Sequence, residues 1–347
     1  MSHATNPTPK PDAQRDAEKL VIIGSGPAGW TAALYAARAQ LEPLCVVGVP
    51  KQDPGPVLPG GQLMLTNDVE NYPGFPEGIP GPKMMALFQQ QAERFGTRTL
   101  GDDVTAVRFH EDPATPHELT CASGRTLRAH AVIIATGATA NWLGLENELR
   151  LARSGGGVSA CAVCDGALPM FRNNPVAVVG GGDTAMEEAH HLSKFASTVY
   201  VIHRRDQLRA SKVMQERTLS KPNVKMIWNS IVVDVLDRKD PASGADVIRA
   251  VLLEDTVTKA RRELEVNGLF VAIGHTPATG FLKNSGLELD QAGYVRLHSR
   301  SSQTNIPGVF AAGDVADPRY RQAVTAAGMG CQAALDAEHW LGAHALA

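Results

Sequence analysis

A short apolar run, Leu20-Val21-Ile22-Ile23, passes directly into Gly24-Ser25-Gly26-Pro27-Ala28-Gly29. An alanine-rich stretch with helical character follows from Trp30 to Ala39, and a second apolar run covers Leu44 to Val47. The same order returns later in the chain. Pro175 to Val179 is apolar, Gly180-Gly181-Gly182-Asp183-Thr184-Ala185 follows it, a helical stretch covers Asp183 to Phe195, and Thr198 to Ile202 is apolar again. A strand that ends in G-x-G-x-x-G or G-x-G-x-x-A and opens a helix is a phosphate-gripping fingerprint. Gly24 permits the tight turn, Gly26 lets backbone approach a pyrophosphate, and Gly29 lets the helix pack close to the strand. The helix N-terminus then offers free N–H groups to the phosphates. A glycine-rich turn without a ligand has the same letters, and only the flanking strand and helix favour the nucleotide reading.

Two such units imply an α/β fold with two Rossmann-like dinucleotide-binding domains, and two nucleotides in one chain point to electron transfer between them. The ends of the second strands differ. After Val47 comes Gly48, where an acid would ordinarily hold the ribose hydroxyls of the first nucleotide. After Ile202 come His203-Arg204-Arg205-Asp206-Gln207-Leu208-Arg209, read as either a 2′-phosphate clamp that selects NADP or a solvated basic turn. Each unit is followed by an apolar strand ending in glycine, at Ala131–Gly137 and Gly268–Gly274. A third such strand, Gly308 to Val315, ends in Gly313-Asp314, whose carboxylate can accept hydrogen bonds from a polyol. Arg321-Gln322-Ala323 then precede a small-residue helix through Ala334. Gln62 and Asn71 carry amides able to serve a heterocycle edge or their own loop backbone. A helix is expected over Lys83–Phe95, and strands over Asp103–His110, Glu118–Cys121, Val224–Leu236 and Val247–Leu253.

Between the two units and just ahead of the second lies Cys161-Ala162-Val163-Cys164-Asp165. Two thiols across a two-residue gap can close a redox disulfide, and the adjacent acid can carry the proton such chemistry moves. Half a zinc site and two buried cysteines are the competing readings. No second C-x-x-C or Cys/His cluster is available to complete tetrahedral zinc, and no metal is expected. His190 and His191 read as surface side chains, and Cys331 as packing. The five cysteines are too few and too odd in number for a disulfide scaffold, which points to a reducing compartment, the cytoplasm. A formal net charge of −3 with mixed signs carries no nucleic-acid footprint. No run approaches the ~20 apolar residues of a membrane helix. Residues 1–17, polar with Pro7, Pro9 and Pro11, read as a disordered tail and not as a signal peptide.

The ordered series GSGPAG, GGQL, DVENYPGFPEG, VSACAVCDG, VVGGGDTA, HRRDQLRASK, GLFVAIGHTP, PGVFAAGDV and YRQA resembles the low-molecular-weight thioredoxin reductases, in class II of the pyridine-nucleotide disulfide oxidoreductases. The resemblance runs from about Leu20 to about Trp340. It implies FAD in the first unit, lined by Gly24, Ser25, Gly26, Pro27, Ala28 and Gly29. Gly61, Gln62, Asn71, Val104, Gly313, Asp314, Arg321, Gln322 and Ala323 would complete that pocket. It implies NADPH in the second unit, held by Gly180, Gly182, Asp183, Thr184, Ala185, His203, Arg204, Arg205 and Arg209. Cys164 would face the flavin, Cys161 would attack the disulfide of thioredoxin, and Asp165 would be the acid/base partner. The domains implied are 18–139 for FAD, 140–268 for NADPH and the disulfide, and 269–347 for the return to FAD. Hinges near Ala138–Trp142 and Glu265–Phe270 would let the nicotinamide and the cysteine pair alternate at the flavin. A homodimer is implied, and without a fused thioredoxin domain the substrate would be a separate protein. The Val49–Pro59 loop is longer than in short members of the family. Competing functions are a flavin-dependent dithiol oxidase, a redox sensor that does not turn over, and a reductase of another thioredoxin-like carrier or a low-molecular-weight disulfide.

Overall fold

The computed structural model describes residues 16–51, 58–66, 68–298 and 301–346. The expected tail, up to residue 15, and the middle of the Val49–Pro59 loop therefore lie outside the described residues. The first unit opens with β1 (Glu18–Ile23), α1 (Pro27–Arg38) and β2 (Leu44–Val46). A 3-10 turn at Gly61–Leu65, the two-residue strands β3 (Asp68–Val69) and β4 (Ile79–Pro80), α2 (Gly81–Arg94) and β5 (Arg98–Leu100) follow. Strands β6 (Val104–Arg108), β7 (His117–Cys121) and β8 (Thr126–Ile134) complete this part. The chain crosses through β9 (Ala138–Ala140) into α3 (Glu146–Ser154), β10 (Val158–Ser159) and α4 (Ala162–Asp165). The second repeat is β11 (Pro175–Val179), α5 (Asp183–Leu192), β12 (Thr198–Ile202), α6 (Lys212–Leu219) and β13 (Val224–Ile227). A meander of β14 (Ser230–Lys239), β15 (Asp246–Asp255) and β16 (Arg261–Glu265) leads to β17 (Gly268–Val271). The return crossing is β18 (His275–Pro277), followed by β19 (Val309–Ala311) and α7 (Ala323–Ala343).

The two sheets repeat one topology. In the first, the order β5-β2-β1-β8 is parallel, with β19 pairing β8 beside the antiparallel β7-β6 extension. In the second, β13-β12-β11-β17 is parallel and β10 adds to β17. In each, strand order reverses between the first strand and the closing strand, and ligands of open α/β sheets bind outside the carboxyl ends at such a switch point. The near-continuous apolar strands have their cause in burial on both faces. Leu20 and Ile22 of β1 point into one core with α1 and α7, while Val21 and Ile23 point into another with β2, β8 and β19. Val176 and Val178 of β11 likewise pack toward α5, and Ala177 and Val179 toward β14 and β15.

Helix α7 extends well past the expected end at Ala334 because its small residues let it lie directly on α1. A Cβ at Gly330 would stand 2.2 Å from the Ala28 carbonyl oxygen. The expected strand Val224–Leu236 is two strands in two sheets, broken at Asn229, which has φ of 48°. The second expected hinge, Glu265–Phe270, and the boundary at 268/269 also shift. Gly268–Val271 is β17, buried and paired to both β10 and β11, so it belongs within the second sheet. The outgoing and returning chain instead meet as an antiparallel ribbon, β9 on β18, with Thr139 opposite Thr276.

Candidate active site at the junction of the two units

The first glycine turn is shaped by what surrounds it. Gly24 has φ of 111°, and a Cβ there would lie 2.3 Å from the Ala135 carbonyl oxygen at the end of β8. A side chain at Gly29 would strike the Gly24 carbonyl at 2.0 Å, whereas the nearest atom to a Cβ on Gly26 is 3.9 Å away. So two glycines serve packing and the third leaves backbone open to a ligand. The Ser25 hydroxyl donates to the Val47 carbonyl at 2.7 Å and accepts the Gly60 N–H at 2.9 Å, bringing the Gly60-Gly61-Gln62 turn over the phosphate side.

This turn opens on a cavity of about 880 Å³ that reaches the cysteine pair. Ser25–Ala28, Gly61, Gln62, Asn71, Val104, Gly313, Asp314 and Arg321–Ala323 line it from the first unit, and Cys161, Cys164, Asp165 and Thr184 from the second. Asn71 Nδ2 donates to Gln322 Oε1 at 3.2 Å, and Gln322 Nε2 lies 4.0 Å from Cys161 Sγ. Asp314 is pushed up to about 7 by burial and by the negative charge of Asp317, with Arg321 opposing both. Asp317 in turn accepts the backbone N–H groups of Arg319, Tyr320 and Arg321, which holds Arg321 at a φ of 49°. An open glycine turn, a helix N-terminus, amides at the rim and a buried acid for a polyol are the groups a flavin dinucleotide requires, and the residues fit it.

Cys161 and Cys164 form a disulfide with Cα atoms 5.3 Å apart. Cys161 caps α4, and its sulfur accepts the Cys164 N–H at 3.2 Å. Ser159, whose role no short sequence pattern signals, ties the acid to the pair. Its hydroxyl donates to Asp165 Oδ2 at 2.5 Å and accepts the Cys161 N–H at 3.0 Å. Burial pushes the Asp165 carboxyl up, and the Ser159 hydrogen bond works against that rise. A second carboxyl was also missed. Glu188 on α5 is buried, lines the same cavity and has no hydrogen-bond partner at Oε2. Burial pushes it up to about 8, with the Ala162 N–H and Arg321 opposing and the charges of Asp165 and Glu187 adding to the rise. Helical doubling of Glu187 and Glu188 gave no hint which one faced inward.

Of the second glycine turn only Thr184 reaches this cavity, and its glycines do not line it. Gly180 packs against the end of β17, where a Cβ would be 2.4 Å from the Ala272 carbonyl, while a Cβ on Gly182 would meet nothing within 4 Å. Asp183 anchors the basic loop, its Oδ1 accepting the Ser211 N–H at 2.8 Å and the Ser211 hydroxyl at 2.9 Å. Arg209 and Ala210 donate their backbone N–H groups to the Gly181 carbonyl at 2.8 and 3.1 Å. Arg204, Arg205 and Arg209 are thereby held beside the turn, exposed, and none has an ion pair among the described residues. His203 departs from the expectation. Its ring is buried, with Nδ1 3.0 Å from the Gly180 carbonyl and Nε2 2.9 Å from that of Gln207, so it braces the loop and does not extend the clamp. Ala185 is fully buried in the core beneath the turn. Among the described residues no cluster of His, Cys, Asp or Glu is arranged to hold a metal, and no helix is long and apolar enough to cross a membrane.

Residues 18–330 match the model of the family described as pyridine nucleotide-disulphide oxidoreductase. The mitochondrial thioredoxin reductase 1 of Arabidopsis thaliana is 52% identical over 327 residues, covering 93% of this chain and 84% of the relative. A solved thioredoxin reductase from Giardia duodenalis, 40% identical, superposes with a TM-score of 0.83 over 93% of this chain and 98% of its own. A Lactococcus lactis thioredoxin reductase described as in the FR conformation, 35% identical, covers 94% of this chain and 99% of its own, with a TM-score of only 0.59. With its duplicated sheets, its disulfide facing the first unit's cavity and this breadth of likeness, the chain belongs to the pyridine nucleotide-disulphide oxidoreductase family, in the branch of the thioredoxin reductases.

Proposed function

We propose that the protein is a thioredoxin-disulfide reductase that draws its electrons from NADPH. The observation that carries this is the setting of Cys161–Cys164, a disulfide built on the second unit yet opening into the first unit's nucleotide cavity. In this reading Gly24–Gly29, Gln62, Asn71, Val104, Asp314 and Arg321–Ala323 hold FAD. Gly182, Thr184, Arg204, Arg205 and Arg209 hold NADPH, the unpaired guanidiniums gripping its 2′-phosphate. Held there, the flavin would supply the acceptor for the nicotinamide's hydride and the donor of the electron pair that opens the disulfide. The first domain then comprises 18–139 with the return segment after β18, and the second lies between the two ribbon strands.

The Cys164 N–H is directed at Cys161 Sγ in the disulfide, and kept in the dithiol this contact would stabilise a thiolate there. That favours Cys161 as the sulfur that attacks the substrate disulfide, forming a mixed disulfide and expelling one substrate thiolate. Asp165, its carboxyl raised by burial, supplies the proton that thiolate takes up. The ionised Asp165 then takes the Cys164 proton, and the Cys164 thiolate attacks Cys161 Sγ, expelling the second substrate thiolate, which takes up that proton, and regenerating the intramolecular disulfide. Exposed apolar side chains at the cavity rim, Val163 between the cysteines and Tyr320 opposite, suit a protein partner such as thioredoxin.

A homodimer is part of this proposal. Tyr35 on α1 is hydrogen-bonded to Cys331 on α7, and exposed Leu335 lies one turn beyond Cys331, giving an apolar strip across both helices. The free, buried Cys45 and Cys121 accord with a reducing compartment such as the cytoplasm. The test is an anaerobic assay of the purified flavoprotein with NADPH or NADH and with thioredoxin as acceptor. Thioredoxin-dependent oxidation of NADPH, lost in Cys164→Ser, is expected. Absence of flavin, or equal use of NADH, sinks the reading.

A further inference from the structure

The ribose of the first nucleotide has no acid at its usual place, because β2 runs out into Val47-Gly48. Backbone geometry explains the absence. Gly48 has φ of 87°, in the left-handed region, so an aspartate or glutamate there would be strained. The parallel pairing of β2 with β5 continues past both strands, the Val47 N–H donating to the Leu100 carbonyl at 2.9 Å and the Gly48 N–H to the Asp102 carbonyl at 3.1 Å. That continuation brings the following residue, Asp103, against Gly48. A Cβ on Gly48 would lie 3.5 Å from Asp103 Oδ1, so this oxygen stands where a side chain of residue 48 would begin.

Asp103 is held firmly. Its N–H donates to Asp102 Oδ1 at 2.8 Å and its carbonyl accepts the Ala122 N–H at 2.8 Å. Its Oδ2 pairs with Lys51 Nζ at 3.1 Å, the two side chains being 18% and 49% exposed for aspartate and lysine respectively. Oδ1 has no protein donor among the described residues. The neighbouring Asp102 is not available for a ligand, because Ser123 donates both its hydroxyl, at 2.5 Å, and its N–H to that carboxylate. Lys51, Asp103 and Val104 line the same cavity as the first glycine turn.

We propose that Asp103 is the acceptor for the adenosine ribose hydroxyls of FAD, supplied by the β5–β6 turn in place of the acid missing from β2. Lys51 fixes Oδ2 and leaves Oδ1 directed at the ribose. The inference rests on the assignment of a flavin dinucleotide to the first unit. Its test needs no turnover. The full chain is stripped of flavin and titrated with FAD, with FMN and with FAD carrying 2′-deoxyadenosine, following flavin fluorescence. Asp103→Ala and Asp103→Asn are expected to raise the dissociation constant for FAD by roughly ten- to a hundredfold. Affinity for FMN, which has no adenosine, should be unchanged. The deoxy analogue should bind the wild type more weakly than FAD does, and the variants no more weakly than FAD does. Far-ultraviolet circular dichroism of both variants checks the fold, and the asparagine keeps the size of the side chain. Undiminished FAD affinity in both variants overturns the ribose assignment alone. A wild-type chain that takes up no FAD overturns the flavin assignment and this inference with it.

Discussion

Glu188 follows Glu187 on α5, and of the two only Glu188 is buried, near Asp165 from α4 and Arg321 from the segment before α7. Its ordinary value of 4.5 is raised in the fold to about 8, mainly by burial. Between these two values the folded protein keeps a proton that the unfolded chain has released, so this group subtracts stability as pH rises through the window. The full cost is present above about pH 8 and absent below about pH 4.5. Glu188→Gln, whose amide oxygen can still accept the Ala162 N–H, should therefore gain melting temperature over the parent at pH 8 and lose the advantage at pH 5. Equal gains at both pH values would show that the carboxyl is not held protonated. Ser159 makes the complementary case. Its hydroxyl favours the charged form of Asp165, so Ser159→Ala should move the ionisation of Asp165 further up. The alkaline limb of the kcat profile with thioredoxin would move up with it, and kcat would fall on the order of tenfold.

Loop and helix geometry decide what the basic cluster after β12 can do. Asp183 and the Gly181 carbonyl fasten the loop, and the three exposed guanidiniums have nothing else to bind among the described residues. Arg204→Ala combined with Arg205→Ala should raise the KM for NADPH by roughly one to two orders of magnitude, and leave that for NADH unmoved. Equal losses with both nucleotides would mark the loop as a structural turn. The same loop illustrates what the letters could reveal. The glycine turns, the cysteine pair and Asp314 were legible because each is a local pattern of strand, turn and helix start. His203 was placed with the arginines by adjacency, but its ring is drawn inward by two carbonyls, one of them from a turn far away in sequence. The break at Asn229, the strand β16 and the β9–β18 ribbon all depend on pairing between distant segments, for which no short window of sequence has a signal. Ser159, Glu188 and Asp103 were missed for the same reason, since each gains its character from neighbours on another element.

At the scale of the whole molecule the two nucleotide sites are far from equivalent. The disulfide occupies the first unit's cavity, and Arg204, Arg205 and Gly182 do not line it. On the proposed assignment, electrons from a nicotinamide held by the second glycine turn would require another arrangement of the units. The ribbon of β9 and β18 would be the pivot for such a swing, with Gly137 at φ of 72° and Gly274 at φ of 104° where the two crossings leave β8 and β17. The low TM-score against a relative of nearly complete coverage is what a changed setting of two otherwise similar units produces. Gln322 supplies a lock to test this, because its Nε2 is 4.0 Å from Cys161 Sγ across the junction. In a Gln322→Cys, Cys164→Ser variant, oxidation is expected to join residues 161 and 322, as peptide mass mapping would verify. Bleaching of the bound flavin by NADPH, followed in stopped flow, should then slow at least tenfold and recover on addition of dithiothreitol. Cys164→Ser alone should bleach at the parental rate. If the cross-linked protein bleaches as fast as its reduced form, the nicotinamide reaches the flavin without the swing, and the ribbon is a tether and not a pivot.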